Sequence, residues 1–206
     1  MPRRTKEEAE QTRQLLLQTA LTLFAKRGIT QTSLKDIAAA SGLTHGALYW
    51  HFKNRTDLVA ALYQESRLPL DELFIDQLQA ARQDALGSLG ELLKRWSWLV
   101  LEDQRCEAIW RVFHLNAKQE PELAAISDHI YAEQQEWLER LAKIYKKARK
   151  QGQLPESSKL KQGALAESAL AVVFGITASV IYTEGRTPPK QQIKTVLKVY
   201  LAGLPG

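Results

Sequence analysis

The stretch GALYWHFKNRTDL, residues 46–58, sets four rings, Tyr49, Trp50, His51 and Phe52, directly before Lys53, Asn54 and Arg55. A phenol, an imidazole and two cations side by side donate hydrogen bonds to phosphate oxygens and base edges; they do not make a nucleophile–base pair. Nothing elsewhere supplies covalent chemistry. The chain has four His and one Cys, and it holds no glycine-rich phosphate loop, no H-E-x-x-H and no Cys/His pairs at metal spacing. His114 and His129 stand apart on predicted helices, with no Ser, Cys or carboxylate arranged around them. No catalysis, no cofactor and no metal is therefore expected.

The elements that position these groups are helices. Apolar residues recur at helical spacing almost throughout and strand signals are nearly absent, so the fold class is all-α. A first helix is predicted over Lys6–Arg27, stopped by Gly28. Residues 34–52 have helix-turn-helix spacing: Thr32 or Ser33 caps a short helix, Gly42 takes the tight turn, and Thr44 caps the second helix. Ile37 and a small Ala38 belong to the first of the pair, Leu43 and Leu48 lock the two together, and Leu34 faces the long first helix. Around a helix, successive residues turn by about 100°. Leu48 and Phe52 then pack inward, Tyr49 and His51 point outward, and Trp50 is expected to pack at the rim of the small domain. A helix held out in this way places Thr44, His45, Gly46 and Ala47 against base edges. Ser33, Tyr49, His51 and Lys53 then touch phosphates. Lys53 precedes a fourth helix capped by Asn54, whose free N–H groups favour an anion. The competing reading of the motif is an ordinary αα-corner.

The totals agree with a nucleic-acid partner. Residues 1–67 carry 10 Lys/Arg against 6 Asp/Glu, and residues 68–206 carry 18 against 17, so most of the formal +5 sits in the first third. Cys106 is the only cysteine, which excludes an internal disulfide and points to a reducing compartment. The opening MPRRTKEEAEQTR is too charged for a secretory leader. The longest apolar run, SALAVVFGITASVIYT, is 16 residues, short of the roughly 18–20 that span a bilayer. A buried helix and a cytoplasmic protein are expected, with no membrane partner.

Beyond residue 68, helices are predicted near 71–82, 86–102, 105–118, 122–150, 158–183 and 189–203. The fourth helix is expected to continue past residue 68 until Pro69 kinks or breaks it. The loop EGRTPPK separates the last two helices. The basic run KIYKKARKQG complements a helix C-terminus.

The segment RQLLLQTALTLFAKRGITQTSLKDIAAASGLTHGALYWHFKNRTDLVAAL resembles the DNA-binding domain of the TetR family of bacterial repressors. The matching features are Phe24-x-x-x-Gly28, Thr-Ser-Leu before the second helix, Ile-Ala…Gly-Leu, and Tyr-x-His-Phe-Lys-x-Arg. Within the family the likeness is to the AcrR-like regulators of multidrug efflux operons. The resemblance implies a homodimer on a palindromic double-stranded operator, released by a small-molecule inducer. It divides the chain into an N-terminal helix-turn-helix domain, residues 1–67, and a helical ligand-binding and dimerisation domain, residues 68–206. Many relatives carry Arg or Lys at the position of His45, so base preference does not carry over. The alternative is a DNA-binding protein on the same fold with no inducer, architectural or division-linked.

In the larger domain, Ala164, Ser168, Ala171, Gly175 and Ser179 form a small-residue stripe. Paired with Ile193, Val196, Leu197 and Tyr200 of the last helix, they are expected to form a four-helix interface across a two-fold axis. The alternative is packing within one chain. Trp96, Trp110, Phe113, Tyr131 and Trp137, with His114, Asn116 and Gln134 among them, suggest a pocket for a flat, apolar or cationic compound. Ordinary core is the competing account of each ring.

Overall fold

The computed structural model describes residues 5–66, 68–115, 121–155, 160–183 and 189–204. Ten α-helices are found among them: α1 Lys6–Arg27, α2 Leu34–Ala40, α3 His45–His51, α4 Arg55–Glu65, α5 Leu70–Ala80, α6 Ala85–Glu102, α7 Gln104–Trp110, α8 Ser127–Lys150, α9 Gln162–Tyr182 and α10 Pro189–Ala202. The helix predicted over 105–118 instead widens after Trp110 into a π turn, Arg111–Leu115. Before α8 the chain tightens into a 3-10 turn, Pro121–Ile126. Asn116 and the loop residues 184–188 lie outside the described residues.

By its internal packing the chain forms two units. The first is Met1–Leu68 with Ala108–Ile130; the second is Pro69–Glu107 with Tyr131–Gly206. The expected division at 67/68 thus leaves out an excursion: residues 108–130 return to pack on the first unit. The reason is visible in side chains. Tyr63 of α4 meets Phe113 of the π turn edge-on at 5.2 Å, and Arg55 forms an ion pair with Glu122 of the 3-10 turn.

In the first unit, α1 begins with a reciprocal capping box, Thr5 Oγ1 accepting from the Glu8 N–H while the Glu8 carboxylate accepts from the Thr5 N–H. Its buried face, Leu16, Leu17, Ala20, Leu21 and Phe24, supports α2 and α4. α4 ends earlier than predicted. Ser66 closes it with an N–H donated to the Tyr63 carbonyl, well before Pro69, which opens α5.

In the second unit, α6 packs on α5, α9 and α10. The free N–H groups at its start are satisfied from afar: Gln153 Oε1 accepts from Ala85 and Leu86 at 3.1 and 3.0 Å. The turn after α8 therefore docks on the head of α6. Phe74, Trp96 and Trp137 stack edge to face, with centroids 5.6 and 5.0 Å apart. α9 extends beyond the 16-residue apolar run to 21 residues, within which an 18-residue stretch has a mean hydropathy of 1.9, long and apolar enough by composition to cross a membrane. Leu165, Ala166, Ala169, Val173 and Ile176 are buried, which makes it the core helix of this unit.

Of the residues expected at a dimer interface, two are buried within the unit and a third, the half-buried Tyr200, is tied to it through its hydroxyl. Ile193 and Leu197 are buried against the unit's own helices. The Tyr200 hydroxyl lies 2.6 Å from that of Tyr145 and 2.8 Å from that of Ser168. α10 turns its apolar face inward because α6 and α9 supply the nearest apolar surface. Val196 is half-buried.

Candidate nucleic-acid interface

Two caps and one corner present α3. Ser33 Oγ accepts from the Asp36 N–H at 3.1 Å, and the Asp36 carboxylate accepts from the Ser33 N–H at 2.9 Å. α2 then ends in a turn in which Gly42 adopts φ +70°, with the Leu43 N–H donating to the Ala38 carbonyl at 2.9 Å. That backbone conformation suits glycine and strains other residues. Thr44 follows in an extended conformation and its hydroxyl oxygen accepts from the Ala47 N–H at 3.2 Å, starting α3. Leu48 and Phe52 are buried beneath it.

The opposite face is open. Thr44, His45 and Gly46 are exposed, and Ala47 is half-buried at the edge. The Tyr49 ring, 48% exposed, stands edge-on to His45 at a centroid distance of 4.7 Å. A Cβ added at Gly46 would find only the Thr44 hydroxyl oxygen, at 4.0 Å. No packing among the described residues excludes a side chain there, so the glycine leaves a flat approach to the helix backbone from outside.

Trp50 corrects the expectation of rim packing. It is 73% exposed and touches His51 edge-on at 4.6 Å. The indole therefore belongs to the outward face with Tyr49. Helical rotation alone did not assign it, because position 50 falls between the inward stripe of Leu48 and Phe52 and the outward one.

The expected phosphate contacts separate into two kinds. Tyr49 and Lys53 are exposed, and His51 is half-buried beside Trp50. Ser33 is already engaged: its hydroxyl donates to the Asp36 carboxylate at 2.6 Å. That bond, and the Ser33 N–H, hold the Asp36 carboxyl below the usual carboxylate range. A phosphate at Ser33 would face a neighbouring anion. Lys53 is similarly constrained in its backbone, since its N–H donates to the Asp57 carboxylate at 3.0 Å, while Asn54 Oδ1 takes the Asp57 N–H at 2.8 Å. The Lys53 ammonium, rather than the head of α4, is what remains for an anion.

The rings expected to line a pocket fall into different surroundings. Trp96 and Trp137 are buried against Phe74 in the second unit. Gln134 is half-buried there, and Tyr131 is 63% exposed and so lies outside that cluster. Trp110, Phe113 and His114 are buried in the first unit, with Trp110 and His114 rings 4.9 Å apart.

The sequence model of the tetR family of bacterial regulatory proteins matches residues 16–62. The HTH-type transcriptional regulator AcrR of Shigella flexneri is 43% identical over 93 residues, covering 45% of this chain and 43% of that one, less than half its length. The probable HTH-type transcriptional regulator ArpR of Pseudomonas putida is 33% identical over 167 residues, covering 81% and 79%. A crystal structure of NalD, described as the secondary repressor of the MexAB-OprM multidrug efflux pump in Pseudomonas aeruginosa, aligns with a TM-score of 0.75 at 25% identity over 97% of this chain and 98% of that one. With a relative matched across most of both chains and a glycine corner that presents α3 outward, the chain belongs to the TetR family of bacterial regulatory proteins, which are DNA-binding transcription regulators.

Proposed function

We propose that the protein is a ligand-responsive repressor of a multidrug efflux operon, acting in the cytoplasm as a homodimer on a palindromic operator. The observation that carries the reading is the outward face of α3, where Thr44, His45, Gly46 and Tyr49 stand exposed on a helix anchored by Leu48. In this reading Thr44 to Ala47 read base edges, and Tyr49, His51 and Lys53 fix register on the phosphates, with Trp50 beside them. The efflux assignment rests on likeness to NalD. Binding sites for the purified protein selected from random duplexes should be inverted repeats whose half-sites lie about one helical turn, roughly 34–36 Å, apart. Failure to enrich any duplex would remove the DNA-binding role.

The dimer is supported by what α9 leaves open. Ala164, Ala171 and Gly175 are exposed, Ser168 and Ser179 half-buried, and Tyr182 at the end of the stripe is exposed. Val199 on α10, 69% exposed, extends the same apolar inventory. Small residues at this spacing let a second α9 approach closely. A Cβ at Gly175 meets nothing within 4 Å. Gly175→Leu is thus tolerated by the single chain while it wedges the dimer apart. Sedimentation should show a monomer for that variant; an unchanged dimer would move the interface elsewhere.

For the inducer, the proposed site is the Phe74–Trp96–Trp137 cluster, with the half-buried Gln134 about one turn before Trp137 on α8, taking flat apolar or cationic compounds. Ethidium should quench tryptophan emission saturably and release the selected duplex. Release can follow only if the compound prefers the DNA-free conformation.

A further inference from the structure

Arg55 belongs to the cationic run after the rings, yet its side chain does not face outward with Lys53. Its Nη1 donates to the carbonyls of Thr30 and Thr32 at 3.1 and 3.3 Å, and its Nη2 pairs with the Glu122 carboxylate. One planar guanidinium, rooted in the first turn of α4, therefore grips two further pieces of chain: the loop before α2 and the 3-10 turn Pro121–Ile126. A lysine, with a single nitrogen, cannot span those acceptors. The pair is well enclosed, with 30% of the Arg55 side chain and 11% of the Glu122 side chain exposed.

The positions it grips matter. Thr32 is fully buried and precedes Ser33, the cap of α2. Arg55 itself is the first residue of α4, two after Lys53. Both edges of the helix-turn-helix are thereby tied to one carboxylate. That carboxylate comes from residues 108–130, the excursion whose bounding helices α7 and α8 also carry residues of the second unit. α8 begins at Ser127, immediately after the turn that bears Glu122.

We infer that Arg55 is a positioning residue, and that its pair with Glu122 couples the 121–126 turn to the two edges of the DNA-reading face. This rests on the DNA-binding reading above. A displacement of the turn would pull on Arg55 and shift Thr32–Ser33 and Lys53–Asn54 together. Arg55 contributes to operator affinity through Glu122 and does not itself contact phosphate.

A double-mutant cycle with Arg55→Ala and Glu122→Gln tests this on duplexes selected by the wild-type protein. Each single change should weaken specific binding about tenfold with the salt slope unchanged, and the double should be no weaker than the worse single by more than about threefold. A slope lowered by about one ion, with losses that multiply, would make Arg55 a direct phosphate contact and overturn the inference. If Arg55→Ala does not fold, Arg55→Lys keeps the charge and loses the fork, and should reproduce the weakening; full affinity in that variant also overturns it. Amide exchange in DNA-free protein gives a separate readout. Glu122→Gln should speed exchange at Ser33 and Lys53 while α1 stays protected. Unchanged exchange there would sink the coupling, even if no duplex were ever enriched.

Discussion

Replacing Gly46 by alanine separates folding from recognition, because the two respond with opposite signs. Gly46 is the second residue of α3 and is exposed. The new methyl would lie 4.0 Å from the Thr44 hydroxyl oxygen and near nothing else, an ordinary contact with no steric cost. Alanine in a helix is favoured over glycine by about 0.5–1 kcal/mol, from backbone entropy in the unfolded chain. For a chain of this size that raises the melting temperature by about 1–4 °C. In the bound state the same methyl stands between the helix backbone and the base edges. Loss of one base contact costs about 1–3 kcal/mol, so specific affinity should fall about fivefold or more. Binding to unrelated duplex, which depends on phosphate charge, should stay within about twofold. Scanning calorimetry and fluorescence anisotropy on one preparation give both numbers. A lower melting temperature would mean that the start of α3 is packed against the chain. Undiminished specific affinity would mean that the helix backbone never closes on DNA.

The remaining expectations are simpler. Lys53→Ala should weaken binding to all duplexes alike and reduce the salt slope by about one ion; an effect confined to one sequence would make Lys53 a base reader. Gly42→Ala should destabilise by about 1–2 kcal/mol in urea melts, since φ is +70° and no neighbour lies within 4 Å, leaving backbone strain as the only cost. An unchanged midpoint would refute the positive φ. Burial holds the His114 imidazole down at about 3, against 6.5 in the open chain. Unfolding then takes up a proton below pH 6.5, so this contribution to stability is complete above pH 6.5 and is lost as pH falls toward 3, by up to about 1.4 kcal/mol per pH unit. His114→Leu should flatten the acid limb of a stability–pH curve; parallel curves would assign the titration elsewhere. Burial also pushes the Cys106 thiol up to about 11, so its reaction with a disulfide reagent at pH 8 should await unfolding. Prompt modification of the folded protein would contradict that.

Much of the proposed DNA-reading face is legible in the sequence because its signals are local. Ser33 with Asp36, Thr44 with Ala47 and Asn54 with Asp57 are caps closed over three residues, and each is spelled out by residue type and spacing. Gly42 between two short apolar-periodic segments marks the corner for the same reason. Apart from Trp50, the exposed residues of α3 follow by rotation from Leu48. What spacing could not convey is competition: Ser33 has the right hydroxyl, but the capping box that reveals the helix also commits that hydroxyl to Asp36.

The wider site was less readable because long-range choices do not alter local pattern. Ile193 and Leu197 lie on an apolar helical stripe that would suit a partner chain or the chain's own α6 and α9 equally well, and both are buried on the latter. Trp96 and Trp110 read alike as large rings on amphipathic helices, yet they lie in different units.

The amino-acid order alone determined the helical class, the caps of α2, α3 and α4 and the glycine corner, since each of these depends on groups within about four residues, where covalent geometry leaves few arrangements. Tertiary structure alone decided that Arg55 turns to Glu122, 67 residues away, that Trp50 faces out, and that residues 108–130 rejoin the first unit. Helical periodicity says that a face must be covered. Which distant surface covers it depends on the packing of the whole chain.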